Sequence, residues 1–191
     1  MNNTALDICT ANIQGAARHH DKLLPYYTYV SAHPHSIYVL TETNLDHLRP
    51  LMYPPPENLL TAHFTRDESK SVGSGVALLL GNSITTSAPP TTLIAGYLIH
   101  VNILYQQRSI DVYAVYSSPA GATIPLDAPL LSHIIHTITS HAQARSHAPN
   151  WGMIVVGELN AAFRSLDKSV PAHSKTAHDR HWRRLCTDLS L

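Results

Sequence analysis

The stretch Ile37-Tyr38-Val39-Leu40-Thr41-Glu42-Thr43-Asn44 changes abruptly from apolar to polar residues at its midpoint. The apolar half predicts a short buried strand, and the polar half begins where that strand meets a loop. A similar change occurs at two other places in the chain. The strand predicted over residues 6–13 ends at Asn12, and the strand predicted over residues 153–156 is followed by Glu158 and Asn160. Polar side chains where buried strands meet loops are typical of sites held on a rigid scaffold.

Strand-like and helix-like segments alternate along most of the chain. Apolar residues at helical spacing predict helices over residues 21–32 and 127–144, each with a proline in its first turn. Gly157 is expected to close the last predicted strand. The remaining strands are predicted over residues 59–65 and 75–80 and in a hairpin, residues 93–105 and 109–116, around the turn Gln106-Gln107-Arg108. A hairpin together with single strands favours an α/β fold in which two mixed β-sheets form a sandwich flanked by helices.

Composition limits the class of protein. A length of 191 residues without an internal repeat or linker indicates one domain over residues 1–191. The 13 basic residues balance 13 acidic ones, and charged residues are 14 % of the chain, so a disordered tail, a coiled coil and a globally basic nucleic-acid binder are excluded. With only Cys9 and Cys186, a reducing compartment is expected. We find no signal peptide and no membrane-length apolar run, and therefore expect a soluble intracellular protein.

The polar residues at the three strand ends have a shared chemistry. Asn12, Glu42, Glu158 and Asn160 offer carboxylate and amide oxygens, which suit a hard cation such as Mg²⁺. Any one of them alone is more simply explained as a turn or capping residue. Their occurrence at three strand ends favours a common site.

Five segments occur in an order that resembles the endonuclease/exonuclease/phosphatase superfamily. They are residues 11–15, 37–43, 73–80, 112–119 and 154–161, so the resemblance spans about residues 6–163. Within that superfamily the chain is most similar to the apurinic-type endonuclease domains of non-LTR retrotransposons. Each segment is a weak signal alone, and the order and spacing of all five make the resemblance specific.

The resemblance implies a two-sheet sandwich with an active site at one edge between the sheets. It also implies that an attacking water cleaves a phosphodiester or phosphomonoester with Mg²⁺, or alternatively Mn²⁺. By position, Glu42 would be the metal ligand and Asn12 would help to hold the metal site and its water shell. Tyr116 would approach the scissile phosphate, and Asn160 would orient the phosphate and the nucleophile. DNA is the expected partner and the nucleus the expected location, and neither a membrane nor an obligate protein partner is indicated.

Two departures from the family pattern bear on activity. The usual Gly-Asp-Phe-Asn is replaced by residues 157–160, Gly-Glu-Leu-Asn. Glu158 therefore takes the place of the aspartate that positions or deprotonates water in the family. Its side chain is one methylene longer. A misplacement of the reacting group by about 1 Å can lower the rate ~10²-fold. The family's Ser-Asp-His motif does not occur in the sequence. We therefore expect a domain that lacks its C-terminal part, with an incomplete second sheet and weak or no activity.

Two alternatives remain open from the sequence. The chain could be a phosphatase of the same superfamily, acting on a small phosphate ester or a lipid headgroup, or a decayed remnant without enzymatic activity. Residues 164–184 carry six basic and two acidic side chains, a net charge of +4, which a solvated helix face explains more simply than a nucleic-acid contact. His178 and His181 are best interpreted as surface residues, since no cysteine accompanies them as a zinc ligand.

Overall fold

The computed structural model describes residues 5–16, 20–45, 59–70, 74–117, 128–145 and 148–159. The helices are a 3₁₀ turn at His20–Leu23, α1 at Leu24–Ala32 and α2 at Ala128–Arg145. The strands are β1 Asp7–Asn12, β2 Ser36–Thr41, β3 Leu59–Thr65, β4 Val76–Gly81, β5 Thr85–Thr86, β6 Thr91–Ile94, β7 Leu98–Tyr105, β8 Arg108–Tyr116 and β9 Trp151–Glu158. All nine strands and α1 belong to one compact unit, and α2 belongs to a second.

The first sheet has the strand order β1-β2-β4-β3. β1 and β2 are parallel, whereas β4 is antiparallel to both of its neighbours. α1 covers one face of this sheet. Its Tyr27 and Val30 are buried in a cluster with Leu40 of β2 and Leu79 of β4. α1 can begin at Leu24 because Pro25 lies in the first turn, where no backbone N–H is required for the helix.

The second sheet has the order β5-β7-β8-β9, and β6 also pairs with β7. β7 and β8 form an antiparallel hairpin, while β8 and β9 are parallel. The hairpin loop consists of two residues, Gln106 and Gln107, with φ values of 48° and 65°. Left-handed conformations at both loop positions match the twist of the flanking strands, which explains the tight connection.

Besides the cluster under α1, the strand-rich unit buries side chains on the faces where its two sheets meet. Side chains alternate between the faces of a strand, so Ile37 and Val39 of β2 share one face with Thr41. In the second sheet, Val112, Ala114 and Tyr116 share one face of β8. The side chains on both of these faces are buried. The faces that bury the apolar core therefore also carry polar residues at their ends.

α2 is amphipathic. Its buried residues Leu131, Ile134, Ile138 and Ala142 recur at spacings of three and four, and residues between them, such as His133 and His136, are exposed. The helix predicted over residues 127–144 is thus confirmed. Within the described ranges, no helix is long and apolar enough to cross a membrane.

The predicted mixed two-sheet α/β architecture is confirmed, with three local corrections. The strand predicted over residues 93–105 is two strands, because Gly96 turns the chain with φ +80° between β6 and β7. Arg108 is the first residue of β8, so the turn is one residue shorter than predicted. Gly157 does not close β9, which continues to Glu158. Gly157 instead has φ +135°, and a Cβ there would overlap the carbonyl oxygen of Val115 on β8.

Candidate active site

Two parallel strand pairs in the described part of the chain, β1 with β2 and β8 with β9, bring their carboxyl ends together. Asn12 and Thr41 are register partners at the ends of β1 and β2, and Tyr116 and Glu158 are register partners at the ends of β8 and β9. Glu42 follows Thr41 directly. Because the carboxyl ends of parallel strands lie at the same sheet edge, the register of each strand pair places its two residues side by side at that edge. Hydrogen bonds across the two sheets then join the pairs into one polar cluster.

Glu158 is held by two donors from the opposite sheet. Its Oε2 accepts a hydrogen bond of 2.8 Å from Nδ2 of Asn12 and one of 2.9 Å from the Thr41 hydroxyl. Thr41 is fully buried and the Glu158 side chain is half-buried. Hydrogen bonds to an ionised carboxylate are about twice as strong as neutral ones. The longer glutamate side chain is therefore anchored in the cluster by its carboxylate.

Glu42 is paired with Tyr116. The phenol hydroxyl donates to Oε1 of Glu42 over 3.1 Å, and only 1 % of Tyr116 is exposed. Burial, followed by the charge of Glu42 and its hydrogen bond, raises the pKa of Tyr116 well above its usual range, and the charge of Glu158 acts in the same direction. Tyr116 therefore remains a neutral donor at physiological pH.

The Glu42 backbone is unusual for a residue with a side chain. Its φ is 54°, in the left-handed region that costs a non-glycine residue free energy. Neighbouring segments hold it there: Gly15 N–H donates to the Glu42 carbonyl over 2.7 Å, and Thr43 N–H donates to the Gly75 carbonyl over 3.2 Å. A Cβ at Gly75 would overlap Thr43, so only glycine allows this close approach. Backbone strain sustained by its surroundings is typical of functional positions.

Asn12 is oriented by its own turn. Its Oδ1 accepts from the backbone N–H of Gln14 over 3.0 Å, while its Nδ2 donates to Glu158. Lys22 closes the same turn by donating to the carbonyls of Ile13 and Gln14 over 3.1 and 3.2 Å. The Asn12 amide thus presents its N–H group to the Glu158 carboxylate, and the Lys22 ammonium group lies next to the turn.

The donor set fits a hard divalent cation. Glu42 uses Oε1 toward Tyr116, so Oε2 is the oxygen with which it would bind a cation. Among the described residues, no three His, Cys, Asp or Glu side chains are grouped so that they could hold a metal ion. Mg²⁺ is commonly held by one or two carboxylates, with water and substrate phosphate completing its shell. The carboxylate of Glu42 and the amide oxygen of Asn12 match that requirement.

Four of the five residues selected from the sequence are brought together. Asn12, Glu42, Tyr116 and Glu158 form the cluster, whereas Asn160 lies outside the described residues, as do residues 164–184 with His178 and His181. Thr41 was not predicted as a site residue, because in the sequence it is only the start of the polar segment. Strand alternation places Thr41 on the same face as Ile37 and Val39 but does not show that it contacts Glu158.

Comparison with known proteins identifies the fold. No family model matches the sequence, and no curated protein matches it. Among solved structures, an AP endonuclease from Leishmania major matches over 94 % of this chain and 65 % of its own, with 16 % identity and a TM-score of 0.66. An endonuclease/exonuclease/phosphatase family protein from Leptotrichia buccalis matches over 96 % and 74 %, with 12 % identity and a TM-score of 0.52. The chain has the endonuclease/exonuclease/phosphatase fold.

A retrotransposon protein shares this endonuclease/exonuclease/phosphatase fold. The endonuclease domain of TRAS1, a telomere-specific non-LTR retrotransposon, matches over 94 % of this chain and 70 % of its own, with 14 % identity and a TM-score of 0.57. The chain spans about two thirds of the length of the first of these structures, 65 %. At these identities the comparisons establish the fold, and the chemistry must be argued from the residues of the cluster.

Proposed function

We propose that the chain is a Mg²⁺-dependent phosphodiester hydrolase that cleaves DNA as an endonuclease of the retrotransposon type, acting in the nucleus. The observation that carries this proposal is the cross-sheet cluster, in which Asn12 and Thr41 hold Glu158 while Tyr116 holds Glu42. The similarity in fold to an AP endonuclease and to a retrotransposon endonuclease domain supports DNA as the substrate.

In this proposal Glu158 takes the proton of the attacking water. Two donors occupy its Oε2, so Oε1 is the atom that would contact water. Asn12 and Thr41 keep the carboxylate from rotating, which places the base before substrate binds. A positioned general base contributes typically ~10²–10⁴-fold to a rate.

Tyr116 acts in the proposal as a neutral hydrogen-bond donor. Its hydroxyl lies beside Glu42 and can turn to a phosphate oxygen when substrate enters. Glu42, with Asn12, would hold Mg²⁺, which when bound stabilises the negative charge that develops on the phosphate oxygens. Asn160, the next polar residue after Glu158, would orient the phosphate.

The test compares substrates under conditions that detect slow turnover. Purified protein in molar excess is incubated in Mg²⁺ with duplex DNA containing one abasic site, with intact duplex DNA and with a phosphomonoester. We expect cleavage of DNA in preference to the phosphomonoester, and loss of cleavage in Glu158→Gln, which keeps the shape but cannot take a proton.

Glu68→Gln is the matched control, since Glu68 is exposed and outside the cluster. Preference for the phosphomonoester would favour the phosphatase alternative. Failure to cleave any of the three substrates would favour a remnant without activity.

A further inference from the structure

Tyr97 contacts Tyr116 through both its backbone and its ring. The Tyr116 N–H donates to the Tyr97 carbonyl over 2.9 Å. The two rings are nearly parallel, 9° apart, with centroids separated by 6.1 Å, which is an offset stack. Tyr97 is 3 % exposed, so its ring packs within the protein and does not present a surface to substrate. The orientation of the Tyr116 ring therefore depends on Tyr97.

The Tyr97 ring is itself held by the loop that follows β3. Its hydroxyl donates to Oδ2 of Asp67 over 3.2 Å, and Lys70 Nζ lies over the ring, 5.1 Å from its centroid. The other Asp67 oxygen, Oδ1, accepts from the Ser69 N–H over 3.0 Å and from the Ser69 hydroxyl over 2.6 Å. These bonds hold the pKa of Asp67 below its usual value. Asp67 is thus a charged and oriented acceptor for Tyr97.

The backbone beside Tyr97 also reaches the Glu42 loop. Gly96 N–H donates to the Thr65 hydroxyl oxygen over 3.1 Å, and the Gly96 carbonyl accepts from Gly75 N–H over 3.0 Å. Gly75 in turn accepts from Thr43, the residue after Glu42. Both members of the Glu42–Tyr116 pair are therefore positioned from residues 96–97.

We propose that Tyr97 is a positioning residue that sets the Tyr116 hydroxyl relative to Glu42, with Asp67 holding Tyr97 in place. This inference rests on the proposed function, in which Tyr116 contacts the phosphate. A shift of about 1 Å at such a group can lower a rate by ~10²-fold. The residue acts through Tyr116, so its effect on catalysis requires the Tyr116 hydroxyl to be present.

The first test is a double-mutant cycle on DNA cleavage. Tyr97→Met fills a similar volume without a ring, and we expect kcat to fall about tenfold to a hundredfold, with KM changing less than about twofold, since the geometry of a reacting group is altered. Tyr97→Phe keeps the stack and should recover most of the rate. In a Tyr116→Phe background, Tyr97→Met should cause little further loss. Independent, multiplying losses would overturn the proposal.

The second test needs no catalysis, so it separates this inference from the proposed function. NMR of protein labelled with ¹³C-tyrosine reports the Tyr116 ring signal, assigned by its absence in Tyr116→Phe. Asp67→Ala should shift this signal and Tyr97→Met should shift it further, while Glu68→Ala, an exposed neighbour of Asp67, should not. A Tyr116 signal that is the same in wild type and Asp67→Ala would contradict the proposal, even if no variant cleaves DNA.

Discussion

Replacing Thr41 by valine removes one hydrogen bond from the cluster while keeping the shape of a buried side chain. The Thr41 hydroxyl, at the end of β2, donates to Oε2 of Glu158 over 2.9 Å. The other donor to this oxygen is Asn12, at the end of β1. A hydrogen bond to a charged group contributes about 1.5–3 kcal/mol. Because Asn12 still holds the same oxygen, we expect the lower end for the loss of stability, about 1.5 kcal/mol. With one donor instead of two the Glu158 carboxylate can rotate, and we expect roughly a tenfold lower cleavage rate, less than the ~10²-fold cost of a misplacement by about 1 Å.

The assay is single-turnover cleavage of a labelled duplex with protein in excess, together with urea unfolding. Thr41→Val should lower the cleavage rate about tenfold and the free energy of unfolding by about 1.5 kcal/mol. Thr41→Ser retains the hydroxyl and should stay within about threefold of the wild-type rate. A wild-type rate in Thr41→Val, or an equal loss in Thr41→Ser, would refute the idea that this hydroxyl positions Glu158.

Two further predictions concern stability. Gly157→Ala should cost about 3 kcal/mol or more, measured by urea unfolding, because a Cβ would overlap Val115 at φ +135°. Gly152→Ala is its control, since a Cβ there would lie 3.8 Å from Ile110, and equal losses would contradict the argument. The buried Tyr27 hydroxyl has no partner among the described residues, and burial raises its pKa to about 12. The contribution of Tyr27 to stability should therefore be constant below pH 10 and be lost as the pH rises from 10 to 12. Alkaline denaturation curves should show that Tyr27→Phe reduces this loss.

Much of the fold followed from the local pattern of the sequence. The boundaries of β2, β3 and α2 match the predicted segments within two residues. β2 is an apolar run, β3 alternates apolar with polar residues after Leu59, and α2 carries an apolar stripe at helical spacing. The break between β6 and β7 was missed, since residues 93–105 are apolar except for a few positions and only Gly96 marks the turn. A single glycine in an apolar run can mark a turn or a close approach between two strands, and the sequence does not distinguish them. Gly96 lies in a turn, whereas Gly157 lies in a strand against the backbone of Val115.

The candidate site was predicted in part, for a physical reason. Asn12, Glu42 and Glu158 stand out together because carboxylate and amide side chains recur at the ends of three apolar strands. Thr41 and Tyr97 do not stand out, since a threonine or tyrosine in a strand is common. Their contacts with Glu158 and Tyr116 depend on how the two sheets face each other. That arrangement is long-range and leaves no local pattern to read.

Cleavage of phosphodiesters by the cluster around Glu42 with Mg²⁺ can be measured as nicking of supercoiled plasmid. Wild type, Glu42→Ala and the exposed control Glu68→Ala are compared in Mg²⁺, with and without EDTA. We expect slow nicking by wild type and by Glu68→Ala, abolished by EDTA, and no nicking by Glu42→Ala. Equal nicking by Glu42→Ala, or no nicking by wild type in molar excess over plasmid, would contradict this prediction.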